Sequence, residues 1–248
     1  MSENFILTSA TGSILTRYNL KLNKFFKSIP RPSIISGGNN ALVVTSQMPD
    51  MLQTMRFGYT SSFSEGRMDL LNLCTDFISL GDDEHEYGGL HNMFGKVRFA
   101  EMITYYRCII LIDAFLVTSN DNTNYFIHMQ NREYPFAIAG IYSNWLNKES
   151  GRSETGFAVL TTSANLMLRH VGIDRMPVIL TKPNVSVWLD LHQDIEKIYS
   201  LIYPVSDDLM NSYPASGRII NDSISITKLQ PNSSNFKPEK FHSTLIVA

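Results

Sequence analysis

His170 stands five residues before Arg175 in RHVGIDRMPVIL (169–180), so an imidazole that can carry a proton near neutral pH shares a short segment with a guanidinium suited to phosphate. A second candidate is DDEHEYGGLH (82–91), where Asp82, Glu84, His85 and His91 carry metal-ligating groups. Their spacing fits no specific ligand pattern and Gly88-Gly89 marks a loop, so the stretch reads as a solvated acidic loop, and no metal is expected. No Walker-type phosphate loop, zinc cysteine set, G-x-S-x-G elbow or Ser-His-Asp spacing is present, and no cofactor is implied.

These residues need a frame. The chain has 248 residues, enough for one sizeable domain or two small ones, and with 44% hydrophobic and 18% charged residues its composition is that of a globular protein. The longest apolar segment, CIILIDAFLV (108–117), is too short to span a bilayer and contains Asp113. There is no basic-then-apolar leader, and two cysteines make no disulfide framework. A soluble, cytoplasmic protein is the expectation. The net charge of −2 excludes a uniformly basic nucleic-acid coat, yet no acidic residue occurs between Asn4 and Pro49, where Arg17, Lys21, Lys24, Lys27 and Arg31 all fall.

Residues 13–27 read as an amphipathic helix with Ser13 as N-cap, and its basic residues most simply form a solvated face. Strand-type runs follow at 41–46, 107–117, 124–129, 135–142, 156–162 and 177–180, with helical patterns at 97–106, 163–169, 184–201 and 207–212. Short separations and alternating apolar residues point to mostly antiparallel pairing in an α+β fold without repeats. One domain over 1–220 is expected, with a C-terminal extension over 221–248 that is irregular or packed on the domain.

With these segments placed, FAIAGIYSNW (136–145), LTTSANLMLRH (160–170) and DRMPVIL (174–180) together resemble the SOS-response-associated peptidase (SRAP) family, whose corresponding order is F-A-x-A-G-L-W-x-x-W, T-T-x-A-N, a histidine, then R-M-P-V-I-L. RCIILIDAFLV resembles the family's R-C-L-x-x-x-D-G-F-Y-E-W, FGYTSSF (57–63) stands at W-G-L-I-P-x-W, MSENFILT aligns with M-C-G-R-Y-x-L-T, and DDLMNSYPAS (207–216) matches a segment of longer members. The resemblance covers about residues 1–218. It implies a barrel-like central β-structure flanked by helices, and proteins that shield abasic sites in single-stranded DNA. There the α-amine of a second-position cysteine attacks the ring-opened sugar and the thiolate closes a thiazolidine, with an asparagine, a glutamate and a histidine assisting.

Carried over residue by residue, the resemblance puts Ser2 at the cysteine, Tyr87 at the asparagine, Val117 at the glutamate and His170 at the histidine. Gly89 and His91 replace the arginine and glutamate of N-A-R-x-E. A hydroxyl cannot close the sulfur ring and valine cannot move a proton. The resemblance further implies Asn4, Phe57, Phe63, Thr162, Asn165 and Arg175 as DNA-contacting positions; Tyr142 and Trp145 read as core. Three readings follow. A pseudoenzyme would bind single-stranded or abasic DNA without durable cross-linking. A residual enzyme would form a reversible imine through the Ser2 amine and promote strand cleavage. A drifted copy would serve as a scaffold or partner-binding subunit, which the loss of arginine at Gly89 favours.

Overall fold

The computed structural model describes residues 4–24, 26–31, 33–75, 96–130 and 134–214. Its strands and helices, in chain order, are β1 (Asn4–Leu7), α1 (Thr11–Tyr18), β2 (Lys21–Leu22), β3 (Ser33–Ile35), β4 (Asn40–Thr45), β5 (Met48–Phe57), β6 (Asn72–Cys74), α2 (Lys96–Tyr105), β7 (Arg107–Ile112), β8 (Ala114–Thr118), β9 (Asn124–Met129), β10 (Phe136–Asn147), β11 (Arg152–Ser163), α3 (Leu166–His170), β12 (Arg175–Pro177), β13 (Ile179–Leu180), α4 (Lys182–Leu189), α5 (Ile195–Tyr199) and β14 (Met210–Pro214). The α+β class stands, and the β-structure is barrel-like.

Five strands close the barrel. β5, β4, β7, β10 and β11 pair antiparallel in that order. The ring then shuts with a short parallel contact, Gly156 beside Arg56 and Phe157 beside Phe57. Closure removes sheet edges. It also demands close backbone approach: a Cβ on Gly156 would stand 2.1 Å from the Gly58 carbonyl oxygen, so only glycine fits that seam. A second sheet, β14-β9-β8-β1-β3, is antiparallel throughout. Phe5 of β1 joins the two by packing against Phe57 with ring centroids 5.3 Å apart, and Phe57 stacks on Phe157 at 5.1 Å.

β7 carries a buried anchor at each end. Arg107 donates to Ile103 O and Thr104 O at the end of α2, and to Trp188 O and Asp190 O at the end of α4, all at 2.6–2.7 Å. Its burial lowers the guanidinium pKa, opposed by Asp190. Just past the other end, Asp113 interrupts the apolar run and turns the chain from barrel to second sheet. Its carboxylate accepts from Thr8 N, Thr8 Oγ1 (2.6 Å), Ser9 N (2.7 Å) and Ser9 Oγ (2.6 Å), which pins the end of β1 against β8.

Several expected elements differ. The helix expected over 13–27 occupies Thr11–Tyr18 with Ala10 rather than Ser13 at the N-cap. Asn19 enters the left-handed region (φ 52°) and Leu20 N donates back to Leu15 O, which stops the helix and releases Lys21–Leu22 to pair with β5. The helix expected over 184–201 is two, because the Asp190 carboxylate accepts from His192 N and Gln193 Nε2 and favours a turn. At 207–212 only a 3-10 turn (Asp207–Leu209) precedes β14. Among the described residues no helix is long and apolar enough to cross a membrane.

Candidate functional site

Two of the four residues expected at catalytic positions, Ser2 and Tyr87, lie outside the described residues, as does the acidic stretch 82–91. Val117 sits in β8 opposite Tyr125, buried in the main core. An aliphatic side chain there adds packing and no proton transfer. His170 is exposed at the last position of α3. Their segments meet: a Cβ on Gly172, two residues beyond His170, would stand 3.0 Å from Asn120 Nδ2, three residues beyond Val117. Gly172 accommodates this with a positive φ of 77°. Asn4 opens β1 beside Leu116, so the first described strand runs along the same rim, and Asn4 Oδ1 accepts from Ser36 Oγ at 2.5 Å.

Of the residues expected to contact DNA, three are buried. Phe57 has no exposed surface and its ring is sandwiched in the barrel core, so it cannot stack on a base. Asn165 is the N-cap of α3, accepting from Leu168 N at 3.2 Å and donating to Val205 O at 3.1 Å, so its amide positions the helix bearing His170 instead of facing a ligand. Thr162 is buried in β11 opposite Met176. Arg175 is half-buried on β12, and its Nη2 donates to Thr161 O at 2.6 Å, so the backbone holds its fork in place.

Phe63 alone among the expected aromatic contacts presents its ring to solvent, at 69% exposure. It lies on the loop after β5. Trp145 Nε1 donates to Ser64 O at 2.9 Å, Arg67 lies 5.6 Å over the indole ring, and Arg67 pairs with Glu154. Arg56, bound to Asp69 at 2.6 Å, Thr60, Ser143 and Gly156 line the same shallow cleft. The structure thus separates two places: a rim formed by β1, β8 and α3, and a cleft beside Phe63. Tyr142 and Trp145 are buried, as core packing requires, and burial pushes the Tyr142 phenol above its usual value.

Asp113 and Arg107 were not singled out as site residues. The only signal for Asp113 was a carboxylate inside an apolar run, which a sequence cannot distinguish from a strand break. Cys108 is fully buried and burial raises its thiol pKa, so it is no nucleophile. Among the described residues no group of three or more His, Cys, Asp or Glu side chains is placed to hold a metal.

The family model described as SOS response associated peptidase (SRAP) matches residues 4–222. The chain is 31% identical over 128 residues to the abasic site processing protein YoqW of Bacillus subtilis, and 30% identical over 128 residues to YobE of the same organism. Each match covers 50% of this chain and 56% or 58% of the relative, so it spans under two thirds of those proteins' length. Among solved structures, a Bacteroides thetaiotaomicron protein superimposes with a TM-score of 0.71 at 21% identity over 86% of this chain and 91% of that one. A phage-related protein from Bordetella bronchiseptica gives 0.60 at 18% over 87% and 94%. Both likenesses concern the fold alone.

Proposed function

The chain belongs to the SOS response associated peptidase (SRAP) family, and from that premise we propose that it binds single-stranded or abasic DNA in the DNA-damage response without durable cross-linking. One observation carries the second half of this reading: the position expected to hold the family's glutamate is Val117, buried at 2% exposure in the strand facing β1. No proton donor or acceptor exists in that side chain. Serine at position 2 works in the same direction, since an alkoxide is far less accessible near neutral pH than a thiolate.

What remains suits binding. The rim has an exposed histidine at 170, Asn165 holds its helix in place, and Arg175 lies on β12, which pairs with β11. Phosphate contact through such groups is electrostatic and weakens with salt. The relatives' description as abasic site processing proteins supports the choice of DNA lesion.

The test is incubation of the full chain with single-stranded DNA carrying one abasic site, read in native and in denaturing gels. Retention in the native gel that fades with added salt, without a band surviving denaturation, is the expected result. A stable adduct from the unaltered chain would overturn the loss of cross-linking, and an adduct seen only after borohydride trapping would favour the reversible imine. Retention equal for duplex, single-stranded and abasic DNA would remove the lesion from the reading.

A further inference from the structure

The lysines at 21, 24 and 27 occupy an outer edge of the barrel that neither the rim nor the cleft uses. β2 pairs parallel with β5, Lys21 beside Met51 and Leu22 beside Leu52, and Asn23 N donates to Leu52 O at 3.1 Å. A turn follows, with Phe26 N donating to Asn23 O. The chain then returns to the same strand: Lys27 N donates to Thr54 Oγ1 at 3.3 Å and Thr54 Oγ1 donates to Lys27 O at 2.8 Å. Residues 21–27 therefore advance along β5 only from Met51 to Thr54, about 10 Å at the rise of a strand.

All three lysines are exposed. Three lysines attached over about 10 Å of strand concentrate positive charge on a scale comparable with a phosphate backbone, which carries one charge per ~3.4 Å of rise in each strand of a duplex. The chain as a whole carries −2, so this concentration is local. The nearest acid along β5 is Asp50, and none occurs between Asn4 and Pro49. Leu22 and Met48, 46% and 40% exposed, border the lysines with apolar surface of the kind that sugar and base faces cover. Lysine is a mobile point charge without the planar fork that reads a base edge, so this surface suits a backbone and not a sequence.

We propose that the Lys21–Lys24–Lys27 edge is a second nucleic-acid contact, which grips the sugar-phosphate backbone of single-stranded DNA away from the lesion. The proposal rests on the DNA reading above and adds a surface to it. Affinity of the full chain would be followed by fluorescence anisotropy with a labelled single-stranded oligonucleotide without an abasic site, across a potassium chloride series. The unaltered chain is compared with K21A/K24A/K27A and with K148A/K182A/K197A, which removes three other exposed lysines and the same total charge.

At about 0.7 per phosphate contact on a single strand, loss of the edge lowers the slope of log K against log salt by about 2, and the control lowers it by less than half as much. Equal slopes for the two variants, with thermal melting showing both folded, would overturn the edge while leaving DNA binding intact. Absence of binding by the unaltered chain at low salt would instead remove the DNA reading and the edge together. Tighter, edge-dependent binding of polyglutamate than of DNA would assign the surface to an acidic polypeptide and also overturn it.

Discussion

Strand β7 starts at a buried cation and ends at a buried anion, and the two ends hold different things. At Arg107 four backbone carbonyls from the ends of α2 and α4 converge on one guanidinium. At Asp113 two residues of a single turn, Thr8 and Ser9, converge on one carboxylate. The first anchor binds helices to the barrel wall. The second binds β1 to β8, so it sets the rim along which Asn4 and Val117 lie. The joint between β1 and β8 is thus maintained by a carboxylate and its four donors, independently of the exposed side chains around it.

The largest expected effect breaks the barrel end. Arg107→Met keeps much of the side-chain volume but leaves carbonyls of two helix ends without their donor. Charge-assisted hydrogen bonds of this kind are worth about 1.5–3 kcal/mol each and are not additive, so a loss of about 3–5 kcal/mol is expected. For a chain of this size that lowers Tm by about 10 °C or more, measurable by circular dichroism. A shift of only a degree or two would mean that Arg107 anchors nothing essential.

Asp113→Asn sharpens the comparison at the other end. Asparagine retains one oxygen acceptor but turns a donor toward the Thr8 and Ser9 donors, and a loss of about 2 kcal/mol is expected. The effect should also be local. Hydrogen exchange at the amides of Phe5–Leu7 should accelerate while Ile109–Leu111 of β7 stay protected. Uniform acceleration in both strands would show that the rim and barrel form one cooperative unit, and the distinction drawn above would fall.

How much of this was legible in the sequence differs between the same regions. β7, β10 and β11 announce themselves because the barrel wall needs long apolar runs. β5 does not: it begins with Met48-Pro49-Asp50 and stays half-exposed along much of its length, so its alternation is blurred. Asn19 could have been read as a stop, yet the periodic Leu22, Phe25 and Phe26 beyond it carried the expected helix onward. Phe57 and Phe63 look equivalent as residues in one motif. Only the parallel closure at Phe57–Phe157 decides that one ring is core and the other faces solvent. His170 enters as an expectation from the family resemblance, whereas Asp113 and Arg107 declare themselves through contacts 80 or more residues apart.

The smallest effect concerns pH and again separates the two regions. His128 lies in β9 of the second sheet, buried, with Nδ1 2.8 Å from Met129 O and 2.5 Å from Tyr134 Oη. Burial lowers the pKa of this imidazole below 6.5, partly opposed by the Met129 carbonyl. The unfolded chain therefore binds a proton before the folded one does. Stability from the neutral ring is complete above about pH 6.5 and declines as pH falls toward the folded pKa, with a slope of at most about 1.4 kcal/mol per pH unit. Asp121 and Asp190, whose carboxylates are held below their usual value chiefly by Ser119 and Gln193, act only in more acid solution. Melting of the unaltered chain and of His128→Gln should converge as pH is lowered from about 7.5 to 5.5, because glutamine lacks the titration. Parallel curves over that interval would transfer the pH sensitivity to some other group and leave the second sheet no more responsive to acid than the barrel.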